Sequence, residues 1–346
     1  RVEWGNNWFD AGGLGLYTFS WAEFDPLRSK AFAYFPQCED EDRNEVDGTC
    51  NSEPDAPVFT EDYFDVTSRM VSAPGVASMP QWGIPKLPLC WLFSFQDCAP
   101  AEFTIRHAFK KVDADRQYAP RTYKGTETEL FGFFDTARMR YHRDEDGLGH
   151  EGIREQNKER YINRHDIWVK SYNADGSLMD LTERRAKPIV YHFDRKLPTI
   201  ADDPTLVSTA LKVADDWDRI FRNVVKESGA LPSTAKGVRY DAETGTAVTD
   251  SPGRMFIVCH NNPIQEGDPA ECGPAGTAPR VGDIRYSFLA YLPDYMTYGL
   301  LGLGPSMSDP ETGEIHVGAA YVYHHNDTAA YDVMQMIKLL NGDMDT

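Results

Sequence analysis

The residues whose types and spacing best suit metal binding lie in an acidic stretch near the start of the chain. Asp40, Asp42, Asn44 and Asp47 follow one another at short intervals, and Gly48 comes next. Carboxylate and amide oxygens at such positions are the ligands that calcium-binding loops supply. The bidentate glutamate that completes an EF-hand is absent. These four residues are therefore interpreted as a solvated acidic loop closed by a disulfide, with a calcium site as the alternative prediction.

Zinc chemistry requires a different pattern. A peptidase zinc takes three protein ligands with one open position, and its commonest sequence form is His-Glu-x-x-His on a helix. No two of the nine histidines stand four residues apart. His150 and Glu151 begin like the motif, but Arg154 occupies the place of the second histidine. The sequence therefore predicts that this chain by itself holds no catalytic zinc.

Signatures of other chemistries are also missing from the sequence. The segment Gly-Pro-Ser-Met-Ser at 304–308 lacks the second glycine of a nucleophile elbow. No phosphate-binding loop of the form G-x-x-x-x-G-K-[ST] occurs, and the glycine-rich pieces do not match a dinucleotide-binding fingerprint. Serine hydrolases that use a nucleophile elbow and nucleotide-dependent enzymes are thus disfavoured.

The six cysteines fall into three close pairs along the chain. Cys38 precedes Cys50, Cys90 precedes Cys98, and Cys259 precedes Cys272. Six cysteines allow about fifteen pairings, and free thiols are the other alternative, so local pairing is an interpretation. No Cys-x-x-Cys spacing supports a zinc ribbon or a redox motif. Local disulfides indicate an oxidising compartment, which is the periplasm, the cell surface or the medium.

The charge and the length of the chain limit the classes of partner that it could bind. The chain has 346 residues with 35 basic and 54 acidic side chains, a formal net charge of −19. Such an acidic surface repels nucleic acid and anionic membranes. No apolar run is long enough for a transmembrane helix. The sequence begins at Arg1 within what reads as a strand or core pattern, so we expect a processed piece of a longer protein.

The order of the elements predicts an α+β protein in two parts. Residues 1–185 read as an irregular, β-rich domain. Residues 186–346 read as strand, long helix, several strands and a final helix capped by Asp327. The helix at 204–228 follows Asp203 at its cap and is predicted to bury one apolar stripe. The members of that stripe are Leu206, Ala210, Val213, Trp217, Ile220 and Val224.

Several segments together resemble a known family. The resemblance covers roughly residues 90–346, and its most specific pieces are Gly-Asp-Ile-Arg-Tyr at 282–286 and Gly-Pro-Ser followed by Asp-Pro-Glu-Thr-Gly-Glu-Ile within 304–315. Other matching segments are at 90–94, 97–106, 188–191 and 261–268. The chain resembles large secreted or lipid-anchored bacterial zinc metallopeptidases of the myxobacterial type, which are related to the metzincins.

The resemblance implies that residues 186–346 are the front half of a zincin-like α/β sandwich. It also implies that Gly304, Pro305 and Ser306 belong to an edge strand that pairs with an extended peptide substrate. The zinc ligands and the general-base glutamate would lie after Thr346, in the remainder of the polypeptide or in a companion chain. The expected function is the N-terminal portion of a secreted zinc-dependent metalloendopeptidase. The alternative is a non-catalytic cell-surface or assembly subunit on a peptidase-derived scaffold.

Overall fold

The structure is a computed structural model, and it describes a defined part of the chain. Described are residues 30–34, 55–72, 76–79, 84–88, 101–112, 115–123, 130, 132–139, 158–240, 247–249, 252–293, 302–323 and 325–343. The chain divides into two compact units. Unit 1 comprises residues 1–111, 292–303 and 322–346, and unit 2 comprises residues 112–291 and 304–321. Unit 2 runs through residue 185, and the predicted division there stays a prediction.

Unit 1 contains an antiparallel sheet built around one long strand. Strand β3 pairs with β6 along its whole length and with β1 and β2 on its other side. Tyr63 and Asp65 of β3 are buried, and the Tyr63 hydroxyl donates to Asp65 Oδ2 at 2.6 Å. The strands are β1 (Lys30–Tyr34), β2 (Val58–Phe59), β3 (Tyr63–Ser72), β4 (Val76–Met79), β5 (Ile84–Pro88) and β6 (Ala101–Lys110).

Among the later elements are two small antiparallel pairs of strands. Strands β7 (Asp135–Met139) and β8 (Lys158–Ile162) form one pair, and β10 (Val238–Tyr240) and β11 (Ala247–Thr249) form the other. The remaining strands are β9 (Ile189–Phe193), β12 (Phe256–Cys259), β13 (Ser287–Leu292), β14 (Gly302–Leu303), β15 (Ser306–Ser308) and β16 (Ile315–Tyr323). Within the described part of the chain, the long α-helices are α1 (Pro204–Glu227) and α2 (His325–Asn341).

Within the described residues, a six-stranded mixed sheet follows the order β12-β9-β13-β16-β14, and β15 pairs with β16. Strand β9 pairs in parallel with both β12 and β13. Strand β15 runs antiparallel to β16. The mixture of sheets with few helices confirms the α+β class.

Helix α1 begins as its sequence predicts. The carboxylate of Asp203 accepts a hydrogen bond from the Leu206 N–H at 2.9 Å, and Pro204 occupies the first turn. The predicted buried stripe is wrong, however. Trp217 is 47% exposed, and its neighbours in the stripe, Val213, Ile220 and Val224, are exposed to a similar degree. The helix buries Val207, Leu211, Ala214, Asp218 and Val225 instead.

The reason for this difference is Asp218. A charged residue in the middle of a helix face reads as solvent-exposed, so the apolar pattern pointed to the neighbouring face. In the fold, Asp218 Oδ1 accepts hydrogen bonds from the Met255 and Phe256 N–H groups at 2.7 and 3.1 Å. Its other oxygen lies 3.1 Å from Nη1 of the buried Arg254. A buried carboxylate is tolerated where such partners satisfy it.

The central sheet is covered on both faces. Side chains alternate along a strand, so Val258 and Ile257 of β12 point to opposite sides. Val258 packs in the cluster that contains Leu211 of α1. Ile257 packs in another cluster together with Cys259 and Cys272. Cys259 and Cys272 form a disulfide, with their Cα atoms 5.7 Å apart. The other four cysteines lie outside the described residues, and their pairing stays a prediction.

Three smaller details concern where elements begin. Strand β7 begins at Asp135, and residues 132–134 before it are not in a strand. Residues 167–172 form only isolated bridges, such as Trp168 with Ala186. The final helix begins at His325, two residues before the expected cap at Asp327.

Candidate functional site

The predicted substrate-binding residues lie at a sheet edge. Gly304 and Pro305 lead into β15, which starts at Ser306. The Pro305 carbonyl accepts a hydrogen bond from the Ala319 N–H at 2.9 Å, which fixes the entry to the strand. Among the described residues, β15 has β16 as its strand neighbour on one side and no strand on the other. Met307, in the middle of β15, is 59% exposed.

An irregularity shapes this edge. Ser306 pairs with Gly318 and Met307 with Val317, but Ser308 pairs with Ile315, so His316 is an extra residue on β16. Such a bulge bends a strand and turns a side chain in a new direction. The His316 ring accordingly lies beside the turn, with Nε2 at 3.5 Å from Asp309 Oδ2.

The turn between β15 and β16 is held by Asp309. Its Oδ1 accepts hydrogen bonds from the N–H groups of Glu311 and Thr312 at 2.7 and 3.1 Å. Its Oδ2 lies 2.7 Å from Nη2 of Arg116. Burial alone would raise the pKa of Asp309, but the bonds from Arg116 and Glu311 outweigh it and lower that pKa. The carboxylate therefore stays ionised and keeps the hairpin closed.

The pKa of Glu314 is shifted in the opposite direction. Burial raises the pKa of its carboxyl and the nearby Asp166 adds to this, while His316 opposes it. Glu314 Oε1 lies 3.9 Å from His316 Nδ1. Two carboxyl groups of the same hairpin, Asp309 and Glu314, thus have their pKa values shifted in opposite directions.

Two glycines are required by close contacts in this hairpin. Gly313 has a φ of +74°, and a Cβ there would lie 2.7 Å from the Ile162 carbonyl oxygen. At Gly318 a Cβ would overlap the hydroxyl of Tyr191. The Gly318 N–H donates to Ser287 Oγ at 3.0 Å. Tyr191 can therefore lie across β16 only because residue 318 has no side chain.

The described residues contain no group of three or more His, Cys, Asp or Glu side chains able to hold a metal ion. The nearest approach to one, Asp309 with Glu314 and His316, does not fit catalytic zinc, because Asp309 is already bonded to Arg116 and two backbone N–H groups. The predicted calcium ligands Asp40, Asp42, Asn44 and Asp47 lie outside the described residues. The calcium site stays a prediction.

Comparison with known proteins leaves the family open. No protein-family model matches the chain, and no curated protein or solved structure matches it either. The sequence pointed to the edge at Gly304–Ser306 but not to the roles of Asp309, His316 or Tyr191. The Asp-Pro-Glu-Thr-Gly turn was a usable signal for Asp309, since Asp at the first turn position commonly accepts backbone N–H bonds.

Among the described residues, no helix is both long enough and apolar enough to cross a membrane.

Proposed function

We propose that this chain is the peptide-binding portion of a secreted bacterial zinc-dependent metalloendopeptidase. An extended substrate would add to the sheet as a further strand beside β15. The observation that carries the proposal is the exposed antiparallel edge strand at Ser306–Ser308, in the segment that resembles the peptidase family.

The composition of this edge supports peptide binding. Sheets usually protect an exposed edge with charged side chains, covering loops or bulges, because free N–H and C=O groups pair with other chains. Strand β15 has the sequence Ser-Met-Ser and so carries no charge. Backbone pairing at such an edge gives affinity without a strict sequence requirement. That property suits an endopeptidase that cleaves many proteins.

Under this proposal, the catalytic zinc is bound by the remainder of the polypeptide or by a companion chain. The described residues do not fit a catalytic zinc site, so no hydrolytic step is assigned to them. A helix that is apolar on most of its surface is normally buried. In α2, the exposed residues include Tyr331, Val333, Met334, Met336, Ile337, Leu339 and Leu340. This supports docking of the remainder of the polypeptide or of a companion chain that carries zinc.

The disulfide supports the proposed location. Cys259 and Cys272 are both buried, at 0% and 1% exposure. Stable structural disulfides form in oxidising compartments and are rare in the cytosol. Secretion, or placement at the bacterial cell surface or in the periplasm, is consistent with that bond.

The test uses a capped extended peptide, acetyl-Val-Thr-Leu-Lys-Thr-Val-amide, and the same peptide with alternate backbone nitrogens methylated. Binding is followed by NMR shifts of the β15 amide groups. Hydrogen-bonded pairs alternate along an antiparallel ladder, and Pro305 is bonded to Ala319, so the Ser306 N–H faces the free edge of β15. We expect the unmethylated peptide to shift the Ser306 signal and the methylated peptide to do so at least tenfold more weakly. The matched variants are Ser306→Ala, which keeps the backbone donor, and Ser306→Pro, which removes it. Only Ser306→Pro should abolish binding.

Cleavage is tested separately. The 346-residue chain should leave casein intact with and without added zinc, and casein cleavage should appear when a zinc-bearing portion is present. Equal binding of both peptides would refute strand addition. A native complex that contains no zinc and cleaves nothing would favour the non-catalytic assembly subunit instead.

A further inference from the structure

A second feature of unit 2 is a cavity beside the β15–β16 hairpin, lined in part by Ile315, which pairs with Ser308. The cavity has a volume of about 510 Å³ and lies between the C-terminal half of α1 and the segments around residues 118–119 and 163–168. Trp168, Phe221 and Ile189 contribute apolar walls. Val224 also lines the cavity and is 48% exposed, so it lies at the opening. Cavities of this size with mostly apolar walls are typical of small-molecule sites.

Two arginines contribute to the wall. Arg184 is only 6% exposed, and the carboxylate that its charge acts on, Asp180, is exposed to solvent. Its Nε and Nη2 both donate to a single carbonyl, that of Met179, at 3.1 and 2.8 Å. Nη1 makes no hydrogen bond within the described part of the chain. A buried guanidinium normally has an anionic partner, because removing its charge from water is costly.

Arg164 is the second of these cations. Its Nε donates to the Tyr118 hydroxyl at 3.2 Å, its Nη2 donates to the Ala119 carbonyl, and its guanidinium lies over the Tyr118 ring. These partners are neutral. The acid in the wall, Asp166, is already bonded to Lys187 Nζ at 2.6 Å. The cavity therefore has an excess of positive charge at a largely apolar site.

We infer that this cavity binds a small monocarboxylate with an aromatic or aliphatic body, whose carboxylate is held by Arg184. The planar guanidinium presents paired donors that match a carboxylate. The aromatic walls at Trp168 and Phe221 accommodate the apolar body. The ligand thereby supplies an anionic partner for Arg184 inside the cavity. This inference is independent of peptide binding at β15.

His165 also lines this cavity. Burial lowers the pKa of its imidazole, so the ring is neutral near pH 7. A neutral imidazole adds one donor and one acceptor without changing the charge balance. The selectivity for an anion thus rests on the arginines.

The test uses two probes of nearly equal shape, 2-naphthylacetate and the uncharged 2-(2-naphthyl)ethanol. Affinities are measured by calorimetry on the whole chain. Arg184→Met should weaken naphthylacetate binding about tenfold or more, in line with loss of a charged hydrogen bond, and leave the alcohol unchanged. The matched control is Arg185→Met, since Arg185 is exposed and bonds the Pro232 carbonyl. It should bind both probes as the unaltered chain does.

A second variant keeps the inference testable if Arg184→Met does not fold. Val224→Trp, at the exposed opening, should block both probes while circular dichroism and the unfolding midpoint remain near those of the unaltered chain. No preference for the acid over the alcohol in the unaltered chain would overturn the inference. Equal loss in Arg184→Met and Arg185→Met, or undiminished binding in Val224→Trp, would do the same.

Discussion

Asp218 Oδ1 accepts a hydrogen bond from the Met255 N–H at 2.7 Å, and this bond joins the buried face of α1 to the residue that precedes β12. The same carboxylate is bonded to Arg254, whose side chain is 5% exposed. The position of α1 on the sheet is therefore fixed by the directional bonds of Asp218 as well as by apolar contact.

The first prediction concerns that carboxylate. Asp218→Ala leaves two backbone N–H groups without their acceptor and removes one of the carboxylates bonded to Arg254, which keeps Asp215, so the free energy of unfolding should fall by about 2–4 kcal/mol. Urea denaturation measures this change. Asp216→Ala is the matched control, because Asp216 and its partner Arg219 are both exposed. It should cost less than about 1 kcal/mol. Equal losses in the two variants would contradict the assigned role.

The second prediction follows from the corrected face of α1. Trp217 stacks on Phe221 with ring centroids 5.8 Å apart but is half-exposed. Trp217→Ala should therefore cost clearly less than Leu211→Ala, which removes a buried side chain at about 2–5 kcal/mol. Thermal or urea unfolding of the two variants decides the order. A larger loss for Trp217→Ala would restore the stripe predicted from the sequence.

The third prediction addresses the contact between Tyr191 and β16. Gly318→Ala should destabilise the chain by about 1–3 kcal/mol, since the added methyl group overlaps the Tyr191 hydroxyl. Gly304→Ala is the control, because a Cβ there meets its nearest atom, the Ala319 carbonyl oxygen, at an ordinary 3.6 Å. Replacing Tyr191 with Ala in the Gly318→Ala background should recover part of the loss. Complete additivity of the two substitutions would argue against the contact.

The fourth prediction is a pH dependence. Burial lowers the pKa of His165 below its usual 6.5 in the folded state. The unfolded chain therefore binds a proton first as the pH falls, and stability present above pH 6.5 is lost as the pH drops toward the folded pKa. His165→Gln should reduce the stability difference between pH 7 and pH 5, measured by urea denaturation. NMR titration of His165 with a midpoint at or above 6.5 would disprove this.

Some elements could be predicted from the sequence because their signals are local. The cap at Asp203 with Pro204 placed the start of α1. The buried face of α1 could not be found, because the partners that make Asp218 acceptable lie at Arg254 and Met255, far away in sequence.

The candidate site likewise has features that local sequence indicates and features that depend on distant segments. The edge at Ser306 followed from a resemblance of contiguous residues, whereas the bulge at His316 depends on the register between two strands. The cavity was invisible in the sequence, since Arg184 and Phe221 are brought together only by the fold. Local motifs are readable from one segment, and pairings between distant segments are not.

The position of β9 in the sheet has a consequence for how the chain folds. Ile189–Phe193 pairs with β12 and β13, both of which are formed by much later segments. Closing such long loops costs entropy before the strand contacts form, so folding should be slow compared with that of helical proteins of similar size. During synthesis, β9 emerges well before either partner. Its apolar residues are then available to chaperones until β13 has been made.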